Sequence, residues 1–245
     1  MNAASIPVWE SYVAGRFDDR VEHYPASIPA NDPRLIAIRS MMPRWNGLRL
    51  LDLGCGRGRY WPHWRSWGAD ITGIDISRKS LSSADNAGFK AIGTLTRLPW
   101  NDGSFDAVCI LETLQHSPAP ARALHEAMRV LRPGGSLIIV DRNPLALDPI
   151  RPWLPSVLIK WIDERRGLWM YPQDAPVRER WHRPSHWRHA LAGMSSDWRL
   201  QYVDSTEEPA TKIRRILPVC RPFYCLSGTK SDSRLKPGKA RQTDS

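Results

Sequence analysis

Chemistry in this chain gathers around glycines and carboxylates. The stretch "LLDLGCGRGRY", residues 50–60, places Asp52 two positions ahead of three glycines spaced two apart, Gly54, Gly56 and Gly58. Glycine at this density opens backbone conformations closed to other residues and lets a ligand touch the backbone itself. It also turns the free N–H groups of a helix start toward that ligand. Roughly 20 residues on, where an acid at the tip of the next strand can take both hydroxyls of a ribose, "GIDIS" supplies Asp75. A glycine pattern alone also serves ordinary tight turns. Strand, glycines and acidic strand end together point to a nucleotide-like cofactor.

The spacing and charge then separate two cofactor classes. Dinucleotide sites use G-x-G-x-x-G, with the pyrophosphate on the helix N-terminus. Here the spacing is G-x-G-x-G and Asp52 stands just before it. A carboxylate there repels a pyrophosphate but suits a ligand carrying an ammonium and a sulfonium. S-adenosylmethionine carries both.

The elements that must hold these residues alternate along the chain. "RLLDL" (49–53), "DITGID" (70–75), "KAIGT" (90–94), "FDAVCIL" (105–111) and "SLIIVD" (136–141) read as five strands. The fourth is nearly all apolar, as a strand covered on both faces should be. Helices fall between them, one opened by Ser77 as N-cap, another in "APARALHEAMRVLRPGG" (119–135) with Leu124, Met128 and Leu131 on one face before Pro133 and two glycines stop it. "WRLQYVD" (198–204) and "FYCLSGT" (223–229) add two more strands. This predicts an α/β fold, a doubly wound, mostly parallel seven-stranded Rossmann-like sheet with helices on both faces and an insertion between strands five and six. Residues 1–45 read as an N-terminal helical cap, 46–229 as the cofactor-binding domain with the insertion at 145–198, and 230–245 as a basic, disordered tail.

In order and spacing, "LLDLGCGRGRY", "GIDIS", "LTRLPWNDGSFDAVCILETLQH" and "ALHEAMRVLRPGGSLIIVD" resemble the class I S-adenosylmethionine-dependent methyltransferases. The likeness is to the branch that includes the ubiquinone and menaquinone biosynthesis methyltransferases, and it covers about residues 45–145. The resemblance implies that Gly54, Cys55, Gly56 and Gly58 form the loop beneath the methionine part of S-adenosyl-L-methionine, with Asp52 near its ammonium. It implies that Asp75 binds the ribose, Ile76 packs on the adenine, and Leu111 and Glu112 line the cofactor's other side. The family usually carries an Asp after the third strand for the adenine amino group. Here Thr94 and Leu95 stand there, so a threonine hydroxyl or the backbone would make that contact. Gln115 and His116 would face the acceptor, with His116 and Glu112 as candidate general bases. His182, His186 and His189, in the insertion, could also reach it.

Composition narrows the partners. Four scattered cysteines without CxxC spacing give no disulfide framework and no zinc site, so no metal is expected. No signal pattern or membrane-length apolar run is present, and the expected setting is cytoplasmic. The net charge of +10 favours anionic partners, and six of twelve tryptophans lie between Trp153 and Trp198. The insertion could be a lid whose Trp161 and Trp169 line a pocket for a lipid-like or aromatic acceptor, or an element resting at a membrane surface. The leading expectation is methyl transfer to an oxygen or carbon of a small molecule. A tRNA-modifying enzyme is the alternative, weakened by basic residues that are dispersed rather than in one stripe. A non-catalytic, cofactor-binding partner subunit is the third, and it predicts a damaged glycine loop where this one is intact.

Overall fold

The computed structural model describes residues 6–42, 44–84, 88–208 and 211–232. The apolar runs become strands: β1 (Arg49–Leu53), β2 (Asp70–Asp75), β3 (Phe89–Ile92), β4 (Phe105–Leu111), β5 (Leu131–Arg142), β6 (Ser195–Val203) and β7 (Phe223–Lys230). They form one seven-stranded sheet in the order β3-β2-β1-β4-β5-β7-β6. All pairings are parallel except those of β7, which runs antiparallel to both β5 and β6.

Period-2 alternation splits each strand between two cores. Leu50, Ala107, Ile138 and Cys225 face α2 (Pro33–Met41) and α3 (Trp61–Ser66). Leu51, Val108, Ile139 and Leu226 face α5 (Pro120–Val130) and α7 (Pro184–Ala190). The result is three layers, with a sheet that is apolar on both sides. Ser77 caps α4 (Arg78–Ser83) as expected, its hydroxyl accepting from the Ser80 N–H at 3.1 Å.

Several boundaries differ from the sequence reading, among them β3, which spans Phe89–Ile92 rather than 90–94. The segment expected as a cap divides: α1 (Ile6–Asp19) covers the strand ends, but Leu35, Ile38 and Met41 of α2 pack into the sheet core. β5 begins at Leu131 rather than Ser136, because Pro133 disfavours helix at the residue before it and Leu131 pairs with Phe105. The insertion carries α6 (Ser156–Arg165) and α7, and β6 starts at Ser195 rather than Trp198. Of the expected tail, Lys230 belongs to β7 and residues 233–245 lie outside the described residues. The remaining short helix, α8 (Lys212–Ile216), precedes β7.

The strand order reverses between β1 and β4, so a crevice opens beyond their carboxyl ends.

Candidate functional site

The floor of that crevice is backbone. Gly54 and Cys55 donate their N–H groups to the Ile74 carbonyl at 2.8 and 3.2 Å, fastening the glycine loop to β2. Gly54 has φ +74°, and a Cβ on it would stand 2.2 Å from Thr113 Cγ2, so only glycine fits. Gly56 has φ +53° with nothing within 4 Å of a built Cβ. A side chain there would project into the open cavity. Asp75, at the tip of β2, accepts from Gly56 N–H at 2.7 Å and from Ser77 N–H at 2.8 Å. Burial pushes its carboxyl above the usual range, against the pull of those two donors.

The cavity holds about 590 Å³. Gly54, Cys55, Gly56, Asp75, Ile76, Thr94, Leu95, Leu111, Glu112 and His116 all line it. Asp52 and Gly58 do not. Asp52 is turned beneath the loop, where the Trp61 indole N–H donates to its Oδ2 at 2.8 Å. Strand parity dictates this, since Asp52 shares the face of Leu50 that meets Trp61. Burial raises the Asp52 carboxyl to about 7.

Glu112 follows the last residue of β4 at φ +54°, a backbone conformation that costs a non-glycine residue strain. Its carboxylate receives Arg34 at 2.9 Å and Arg59 in a shorter contact. Burial alone would raise its pKa, but the two guanidiniums outweigh that and lower it. A carboxylate held in this way is a weak proton acceptor. It serves instead as the centre of a charged end of the cavity, shared with Arg57, Arg142 and Glu207. Arg34 is fully buried and also binds Asp32 and Glu207, at 2.9 and 3.0 Å.

His116 lies in the short turn after β4. Its Nδ1 is 3.1 Å from the Tyr171 hydroxyl and its Nε2 3.2 Å from the Gln115 amide nitrogen. Burial lowers its pKa, so the imidazole is neutral near pH 7. Gln115, also on the cavity wall, has a buried Oε1 with no hydrogen-bond partner among the described residues.

The roof is made of side chains from distant elements. Trp9 and Val13 of α1 pack against Met170, Tyr171 and Val177 of the insertion. Trp9 donates to the His116 carbonyl at 3.0 Å, and Arg16 to the Met170 carbonyl at 2.6 and 3.0 Å. Trp169 lines the cavity, whereas Trp161 is half exposed and faces outward. Two further wall carboxylates, like Glu207, escape the sequence reading. Glu179 is buried and accepts indole N–H groups from Trp169 at 2.9 Å and Trp181 at 2.5 Å. Glu10 of α1 accepts from the Thr94 hydroxyl, and from Thr96 at 3.3 Å. No local pattern marks either residue, because their partners come from other segments. Of the insertion histidines, His182 and His186 stack on each other at 4.5 Å beside Trp187, outside the cavity.

A glycine turn and an acidic strand tip flanking the crevice of a doubly wound sheet define a protein that binds a nucleotide-type cofactor. Residues 51–139 match the family model described as a methyltransferase domain. The ubiquinone biosynthesis O-methyltransferase of Marinobacter nauticus is 31% identical over 182 residues, 69% of this chain and 72% of that protein. The 27-O-demethylrifamycin SV methyltransferase of Amycolatopsis mediterranei is 39% identical over 116 residues, 42% of each chain. The ubiquinone biosynthesis O-methyltransferase of Alkalilimnicola ehrlichii is 34% identical over 124 residues, 46% of this chain and 50% of that one. Against these last two, the match spans half of their length or less. An S-adenosylmethionine-dependent methyltransferase structure from Mesorhizobium loti shares the fold, with a TM-score of 0.59 at 23% identity over 80% of this chain and 96% of its own. So does the cyclase SpnF, at 0.58 and 16% over 89% and 95%. The chain belongs to the class I S-adenosylmethionine-dependent methyltransferases, and its cofactor is S-adenosyl-L-methionine. The open space above Gly56 and the carboxylate at the tip of β2 fit that group.

Proposed function

We propose that this chain transfers a methyl group from S-adenosylmethionine to an oxygen of a small, largely apolar acceptor. The bound cofactor would supply a methyl group already activated by its sulfonium. What the protein must add is alignment, worth on the order of 7–11 kcal/mol in favourable systems, and a place for the acceptor's proton.

In this reading Asp75 takes the ribose hydroxyls with the lone pairs left over from Gly56 and Ser77. The paired Arg59 and Glu112 match the carboxylate and ammonium of the methionine part, a role the sequence alone assigns to Asp52. Glu10, with Thr94 and Thr96, accepts from the adenine amine. Trp9, Phe17, Met170 and Trp169 form the apolar space for the acceptor.

The observation that carries the proposal is His116: a neutral imidazole, braced by Tyr171, on the wall of this apolar cavity. An acceptor hydroxyl can take the place of Gln115 at Nε2 and pass its proton there. The relatives named for O-methylation favour oxygen over carbon. The test is transfer of labelled methyl to a series of small hydroxylated aromatics, followed across pH in parent and His116→Gln enzymes. Because burial lowers the His116 pKa, the parent rate should be flat near neutrality and fall on the acid side, below 6.5. His116→Gln should lose about a hundredfold in rate, within the range for a positioned general base. Label that goes instead to RNA, or a His116→Gln enzyme with parental rate, would refute the reading.

A further inference from the structure

Helix α6 is inside out. Its one buried residue is Lys160, at 7% exposure, whose ammonium is paired with Glu164 and stands 5.7 Å from the Trp169 ring and 5.9 Å from Trp181. Val157, Leu158 and Trp161, spaced to share one helical face, are exposed. A helix packed for water alone would bury the apolar residues and expose the lysine.

This face does not stand alone. Of the fifteen large apolar side chains exposed among the described residues, seven lie within 145–168 and three within 216–219. Those two segments are joined, with Leu147 N–H donating to the Cys220 carbonyl at 3.1 Å and Arg214 donating to the Leu147 carbonyl. Ile150 (80% exposed), Trp153 (74%), Leu168 (70%) and Ile216 (78%) are the most prominent. Scattered apolar residues are normal on a surface, but a concentration on two joined segments marks an interaction site.

The charge on the same elements selects the partner. Arg151, Arg165, Arg166, Lys212 and Arg215 are exposed there. The Arg165 guanidinium lies 3.4 Å from the centre of the Trp161 ring. Two carboxylates on these elements are already engaged: Asp148 accepts from the backbone N–H groups of Ile150 and Arg151 and pairs with the Arg151 side chain at 3.4 Å, and Glu164 holds Lys160. Tryptophan and branched aliphatics fringed by arginine match the boundary between headgroups and acyl chains of an anionic bilayer. We propose that this face, α6 with its flanking loops and the 212–219 turn, docks the protein on the surface of an anionic lipid membrane. Leu168 belongs both to the face and to the cavity wall, so docking would bring the cavity mouth to the lipid. The docking proposal does not depend on which acceptor the cavity takes.

The full chain should co-float with vesicles of roughly three parts phosphatidylcholine to one part phosphatidylglycerol, and much less with phosphatidylcholine alone. Raised salt should weaken binding. Trp153→Ser with Trp161→Ser should reduce partitioning about tenfold or more. Each of Arg151→Gln, Arg165→Gln and Arg166→Gln should reduce it about fivefold, the equivalent of ~1 kcal/mol. The replaced residues are exposed, and S-adenosylmethionine binding with an unchanged melting temperature verifies that each variant is folded. Three results would overturn the proposal: no flotation of the parent, variants that float as well as the parent, or a lipid-free dimer that the tryptophan variant splits into monomers. The last would assign the face to a second copy of the chain.

Discussion

On its floor the cavity meets backbone; on its roof it meets side chains. The floor is fixed by N–H groups of Gly54, Cys55 and Gly56 bonded to the neighbouring strand and its terminal carboxylate. These contacts are extensions of the parallel ladder and share its rigidity. The roof is held by bonds such as Trp9 to His116 and Arg16 to Met170, which bridge 107 and 154 residues of sequence. A surface made this way can be exchanged or opened without disturbing the sheet. Glu10 apart, cofactor affinity and acceptor choice should therefore be separable, and mutations in the two walls should affect different constants.

The sharpest way to break the floor is Gly56→Val. The new side chain occupies cofactor space and the residue is forced to φ +53°, so affinity for S-adenosylmethionine should fall about a thousandfold or more (~4 kcal/mol). Titration calorimetry with near-parental binding would mean that the cofactor does not cross this loop. Asp75→Ala should come next. Losing two charge-assisted hydrogen bonds, each worth about 1.5–3 kcal/mol, predicts at least a hundredfold weaker binding, partly through release of Gly56 and Ser77.

On the roof, Trp169→Ala should raise the apparent KM for the acceptor about tenfold, within the ~1–3 kcal/mol of a modest apolar contact, while leaving cofactor affinity unchanged. If both constants move together, the two walls are not independent. The last test lies beneath the floor and reads stability rather than binding. Burial raises the Asp52 carboxyl from 3.8 to about 7, so the folded protein keeps a proton that the unfolded chain releases. That contribution to stability is complete below 3.8 and is lost as pH rises through about 7. Asp52→Asn cannot titrate. Its melting temperature relative to the parent should therefore climb between these pH values, and a constant difference would show that Asp52 ionises normally.

The same contrast explains what could be read from the chain beforehand. Glycine loop, Asp75 and the alternation of strands and helices are local: each rests on residue types a few positions apart or on one strand–turn–helix unit. The position of Asp52 was also available, because counting twos from Leu50 puts it on the same face as Leu50, which meets Trp61, rather than on the cavity wall. The clamp on Glu112 was not, since Arg34 and Arg59 come from separate elements and neither spacing announces the pair. Glu10 and Glu179 were equally hidden. Each acquires its place only when α1 or the insertion folds over the strand ends.

The order β5-β7-β6 has a bearing on how the protein is made. As the chain leaves the ribosome, β6 emerges before the strand that must separate it from β5. Until residues 223–230 follow, β5 has one unpaired edge and β6 has no partner at all. Open edges of this kind invite pairing with other chains. β7 then enters as a wedge, antiparallel to both, and satisfies the two waiting strands in one event. A chain truncated just before Phe223 keeps both edges open, and it should aggregate more readily than the full chain.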